Sequence, residues 1–201
     1  MADKYKSFSE LAGQETRDKD FRVHSRECSD ALVVIAPHGG GIEPGTSELA
    51  EAIAGSELSF YAFEGIKTTA NRDLHITSTR FDEPEAIALV AASPSVLALH
   101  GEDSDGQVVF LGGRDAALGS LLRASLEANG FDVQTHANAN LQGKDSSNIC
   151  NRGRDGSGVQ LELSKGLRLS FFESLSRSGR LVKTERFNQF VAAIRTVLLP
   201  D

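Results

Sequence analysis

Residues 31–45 read ALVVIAPHGGGIEPG. The opening run, 31–36, is apolar throughout, rich in β-branched residues, and stops at Pro37 and a glycine cluster. That pattern predicts a strand buried on both faces. The period then changes: over 47–54, Leu49, Ala50, Ile53 and Ala54 share one face of a helix, with Thr46 or Ser47 available as its cap. A buried strand that feeds a helix is the repeating unit of an α/β fold.

The same alternation continues outward. Strands are predicted at 58–63, 96–99, 108–111 and 131–135, and at 73–78, where Leu74, Ile76 and Ser78 alternate with His75 and Thr77. Residues 159–163 alternate in the same way, with Gln160 and Glu162 between Val159, Leu161 and Leu163. Helices are predicted at 83–92, 115–129 and 184–199. The second carries Leu118, Leu121, Leu122 and Leu126 as its stripe, Asp115 as its cap and Gly130 as its stop. The third aligns Phe187, Phe190, Val191, Ile194 and Leu198. Together these predict a three-layer α/β/α fold around a mixed, largely parallel sheet, as one domain over 1–201. The polar, glycine-bearing stretch 142–158 is expected to be a loop over the site.

Composition narrows the function. With 21 Lys and Arg against 28 Asp and Glu, the chain carries a net charge of −7. Nucleic-acid binding rests on clustered cations, and here they are scattered apart from short groups such as Arg152 and Arg154, so no nucleic-acid partner is expected. The first residues, MADKYKSFSELAG, lack the apolar run of a secretory signal, and no segment is long enough to span a bilayer. We therefore expect a cytoplasmic protein without a membrane partner, open to release by cell lysis, and a monomer. Cys28 and Cys150 share no metal-type spacing and read as ordinary thiols.

Ligands of open α/β sheets bind beyond the carboxyl ends of the strands. His38 follows the first buried strand, and Glu43 lies five positions on, across three glycines that let the backbone fold back. His100 closes the strand at 96–99, and Glu162 projects from the strand at 159–163. Two histidines and a carboxylate are the protein ligands of an open catalytic zinc site, and a further carboxylate can move protons. The His-to-Glu spacing matches no standard short zinc motif, so the residues alone leave open a structural role for each histidine. No nucleophile elbow surrounds Ser78, Ser104 or Cys150. His75 sits at a polar position of its segment, where it either reaches the site or stays at the surface. His24 and His136 read as surface residues, and Asp103 either as part of a solvated turn or as a group that orients a ligand imidazole.

Six segments carry a resemblance: APHGGGIEPGTSELA (36–50), YAFEG (61–65), DLHITSTRFDEPEA (73–86), LALHGE (97–102), VVFLGGRD (108–115) and NICNRGRDGSGVQLELSKGLR (148–168). In this order they resemble the bacteriophage-type poly-γ-glutamate hydrolase family, a relative of the zinc carboxypeptidases. The resemblance implies a carboxypeptidase-like fold, one Zn2+ on His38, Glu43 and His100, and Glu162 as catalytic base. It also implies hydrolysis of γ-glutamyl amide bonds in poly-γ-glutamate. A polyanionic substrate calls for cationic partners, because guanidinium groups bind carboxylates bidentately. Arg80, Asn151 and Arg152, with His75, are the substrate-binding candidates, and Arg72 and Arg114 are the more distant ones. Two other functions fit the same residues: a zinc deacylase of N-acyl amino acids or short peptides, and a non-catalytic module that binds acidic polymers.

Overall fold

The computed structural model describes residues 3–28 and 31–200. Its strands are β1 (Phe21–Arg26), β2 (Leu32–Gly40), β3 (Ser59–Gly65), β4 (Ser95–Glu102), β5 (Val108–Gly113), β6 (Asp132–Gln134) and β7 (Val159–Ser164). They form one seven-stranded sheet in the order β1-β3-β2-β4-β7-β5-β6. The central strands β3, β2, β4 and β7 run parallel. On one side β1 runs against β3, and on the other β5 runs against β7 with β6 parallel to β5.

The helices are α1 (Phe8–Ala12), α2 (Thr46–Ala54), α3 (Pro84–Ala92), α4 (Ala116–Ala128), α5 (Lys165–Ser170) and α6 (Glu185–Leu198). One face of the sheet packs Val34, Leu97, Leu99 and Leu161 against residues of α2, α4, α5 and α6, including Ile53, Leu126, Leu167 and Phe190. The other face packs Val33, Ile35 and Phe63 against Leu11 of α1, Leu89 and Val90 of α3, and Leu74, Ile76 and Ile149 from irregular segments. The result is an α/β/α sandwich with one thinner layer.

The continuous apolar runs of β2 and β4 follow from this arrangement, since a central parallel strand is covered on both faces. Asp115 caps α4 by accepting from the Leu118 N–H, and Thr184 caps α6 by accepting from the Phe187 N–H. Each satisfies an N–H that the first helical turn leaves without a partner.

Four expectations need correction. Residues 73–78 do not form a strand: a 3₁₀ turn over Asn71–Leu74 leads into unpaired chain. Leu74 and Ile76 are buried there by packing on the sheet face, so the alternation arose from burial without pairing. Leu121 lies outside the stripe of α4 and is 59% exposed. The 142–158 stretch is not all surface loop, because Ile149 and Cys150 are fully buried under the sheet. Neither Thr46 nor Ser47 caps α2; Gly45 does, in the left-handed conformation that favours glycine.

Candidate active site

Pro37 has no N–H to offer a neighbouring strand, so β2 cannot keep its register past Ala36. The β2–β3 pairing shifts between Ala36 and Gly39, and this bulge carries His38. Bulges re-aim side chains beside functional sites. The chain then doubles back: the Glu43 N–H donates to the His38 carbonyl over 2.8 Å, closing a loop that returns the carboxylate to the imidazole. The close approach of β2 and β3 explains Gly40, where φ is +64° and a methyl group would stand 2.5 Å from the Gly65 carbonyl oxygen. Thr46 and Ser47 brace the loop, with the Thr46 hydroxyl donating to the Glu43 carbonyl and Ser47 Oγ accepting from the Gly40 N–H.

His100 and Glu162 are register partners on β4 and β7, so their side chains rise from one face of the sheet. His38, Glu43, His100 and Glu162 are all buried and line a cavity of about 280 Å³. His38 Nδ1 lies 3.1 Å from His100 Nδ1 and 3.3 Å from Glu43 Oε1, and His100 Nδ1 lies 3.6 Å from Glu43 Oε2. Metal–ligand bonds of about 2.0–2.1 Å would give edges of about 3.3 Å in a tetrahedral site. The three separations, with each imidazole measured to a different Glu43 oxygen, are close to the edges such a site requires.

Their protonation supports that fit. His38 Nε2 is 2.8 Å from the Ile76 carbonyl oxygen, which can only accept. The proton thus sits on Nε2, and Nδ1 presents its lone pair to the cluster. His100 Nε2 faces Ser78 Oγ at 3.4 Å, which leaves its Nδ1 on the same side. Burial disfavours the Glu43 carboxylate, yet His38 and His100 hold it well below the usual carboxylate range, and the Gly101 N–H donates to Oε2 over 2.8 Å.

A second donor triad shares two of these residues: His38, Glu43 and His75 offer atoms within 4.8 Å of one another. His75 Nε2 is 3.8 Å from Glu43 Oε1, farther than the corresponding His100 distance, and His75 is less buried. The geometry favours His100 as the closer donor and puts His75 beside the cluster. Asp3 holds it there, with Oδ1 2.7 Å from His75 Nδ1 and Oδ2 accepting from the Thr77 N–H. The neighbouring His38 ring, followed by burial, lowers His75 to about 4.

Glu162 faces the same cavity, and Gln160 Nε2 donates to its Oε1 over 2.9 Å. Burial, then the nearby Glu43 carboxylate, push its carboxyl up to about 8. A group poised near neutrality both accepts and donates protons, as a general acid–base requires.

The expected substrate-binding residues are dispersed. His75 lines the cavity, whereas Arg80, Asn151 and Arg152 are not among its walls. Arg80 bonds Asp3, and Arg152 donates to the carbonyls of Ser147, Phe81 and Thr79. Asn151 is buried and ties the carbonyls of Gly143 and Asp145 to the Gly158 N–H. Arg72 does line the cavity, paired at 3.3 Å with the exposed Asp103. Asn148, with its amide donating to Gln160 Oε1, and Asn140 complete the polar wall. Asp3, far off in sequence, carried no signal that would have assigned it to the site.

The remaining titratable candidates fall elsewhere. His24 pairs with Glu64 at 3.4 Å, and His136 accepts from the Asn138 N–H at the surface. Both cysteines are free, and burial pushes the Cys150 thiol up to about 12, far from nucleophilic use. Among the described residues no helix is long and apolar enough to cross a membrane.

A family model described as poly-gamma-glutamate hydrolase matches residues 5–193. The chain belongs to the poly-gamma-glutamate hydrolase family. Membership makes it a hydrolase of γ-glutamyl amide bonds. The UPF0714 protein YndL of Bacillus subtilis (strain 168) is 38% identical over 193 residues, covering 94% of this chain and 75% of YndL. YmaC of the same organism is 37% identical over 199 residues, covering 98% of this chain and 84% of YmaC. Among solved structures, a bacteriophage poly-gamma-glutamate hydrolase superposes with a TM-score of 0.94 at 30% identity, over 98% of this chain and 96% of that one. The zinc-free apo form of YndL gives 0.92 at 36% identity, over 99% and 98%.

Proposed function

We propose that this poly-gamma-glutamate hydrolase homologue is a zinc-dependent amidohydrolase that cleaves poly-γ-glutamate, with His38, Glu43 and His100 as ligands of one zinc ion and Glu162 as the proton carrier. One observation carries the reading: Nδ1 of His38, Nδ1 of His100 and the Glu43 carboxylate converge at ligand-edge distances beside a buried carboxyl that faces the same cavity. That a zinc-free form of YndL was distinguished as such supports zinc as the metal. Zinc, when bound, supplies a Lewis acid that polarises the scissile carbonyl and renders water nucleophilic near neutral pH.

The chain's own groups do the rest. Glu162 accepts the proton of the attacking water and returns it to the leaving amide nitrogen. Gln160 holds Glu162 Oε1, which leaves Oε2 free for that transfer. His75, fixed by Asp3, and the polar wall of Asn140 and Asn148 bound the space for the substrate. Arg72 is the guanidinium on the cavity wall, and it exchanges Asp103 for a substrate carboxylate.

The test is protein purified without chelators, assayed for shortening of poly-γ-glutamate and for release of new amines. We expect cleavage that a chelator abolishes and zinc restores. Turnover confined to N-acyl amino acids would reject the polymer as substrate, and binding without turnover would reject catalysis.

A further inference from the structure

The helix α5 follows β7 directly, with Ser164 as its cap, and it turns Arg168 back over the ends of the central strands. Arg168 is 3% exposed, and each of its guanidinium nitrogens donates to a different carbonyl. Nε donates to Leu163 over 3.1 Å, Nη1 to Pro44 over 2.9 Å, and Nη2 to Glu102 over 2.9 Å. Leu163 follows Glu162, Pro44 follows Glu43, and Glu102 lies two residues past His100. One planar group thus joins the three chain segments that bear these side chains.

We propose that Arg168 is a positioning residue, whose fork sets the spacing between the backbone segments carrying Glu43, His100 and Glu162. Gly101 supports this assignment, because a methyl group there would stand 2.7 Å from Arg168 Cζ and 2.9 Å from Glu43 Cβ. The glycine after His100 therefore makes room for the guanidinium as well as for the Glu43 loop. A lysine keeps the positive charge but has a single nitrogen, which cannot span three carbonyls held apart by a fork. Charge and geometry are separable on that basis.

The inference rests on the zinc reading above, and zinc alone is the probe. Zinc affinity would be measured by competition with a chromophoric chelator, and kcat and KM on poly-γ-glutamate, for wild type, R168K and R168Q. Arg123→Lys serves as control, since Arg123 bonds the Val133 carbonyl beneath α4, away from the cavity. Folded R168K should bind zinc about 10–100-fold more weakly and lose kcat to a similar degree, as loss of groups that orient metal ligands does. KM should stay within about twofold, since the groups facing substrate are kept. R168Q should lose at least as much, and Arg123→Lys should change neither quantity. Wild-type zinc affinity and kcat in folded R168K overturn the inference, as do equal losses in Arg123→Lys. Failure of both Arg168 variants to fold also overturns it, by making Arg168 a support of the whole fold. A wild-type protein that binds no zinc and cleaves no polymer would instead sink the zinc reading itself.

Discussion

Replacing Glu162 by Gln should alter how the metal-free protein responds to pH. Burial and the Glu43 carboxylate push the folded-state carboxyl up to about 8, against about 4.3 for an unconstrained glutamate. The folded chain therefore keeps a proton that the unfolded chain releases. Stability from such a group is fully present below the unfolded value and is lost as pH rises through the folded one. The limiting slope for one proton is about 1.4 kcal/mol per pH unit. Between pH 6.5 and 8, wild type should lose roughly 1–2 kcal/mol more stability than E162Q, whose amide does not titrate. His75, lowered to about 4, works in the opposite sense in acid but is common to both proteins, so it cancels in the comparison. The amide oxygen of Gln can still accept from Gln160, so the local packing has reason to persist. Urea unfolding of chelator-treated protein at the two pH values reads the difference directly. Parallel pH slopes in the two proteins would refute the buried, protonated carboxyl. In the zinc-loaded protein the same substitution should lower kcat by about 10²–10⁴-fold, with metal retained.

Two further outcomes follow from the contacts. The buried Ser164 hydroxyl donates to the Gly106 carbonyl and accepts from the Val108 and Leu167 N–H groups, so Ser164→Ala should cost about 1–3 kcal/mol in thermal or urea unfolding; a loss under about 0.5 kcal/mol would contradict that network. Arg72→Ala should raise KM for the polymer with kcat nearly kept, and an unchanged KM would remove Arg72 from substrate recognition.

Much of the frame was legible because central strands leave a strong trace. β2 and β4 are apolar runs bounded by Pro and Gly, and α4 and α6 keep a helical period with Asp115 and Thr184 as caps. β1 was missed although Phe21 and Val23 alternate with Arg22 and His24, since so short a pattern stands out little. The segment around His75 misled in the opposite way, because packing of Leu74 and Ile76 imitates the alternation of a strand. In the site, His38, Glu43, His100 and Glu162 were visible as chemistry-bearing residues at strand ends. Asp3 and Arg168 were not: Asp3 acts across 72 positions of sequence on His75, and Arg168 bonds only backbone carbonyls, which carry no sequence identity. Arg152 looked like a substrate contact for the converse reason, since its type was suitable while its donors are spent on the backbone.

The most direct measurement is anomalous diffraction at the zinc edge from crystals grown without chelator. One peak is expected, bonded to Nδ1 of His38, Nδ1 of His100 and the Glu43 carboxylate, with the Glu162 carboxyl facing it. A peak that takes His75 in place of His100, or that lies away from this cluster, would contradict it.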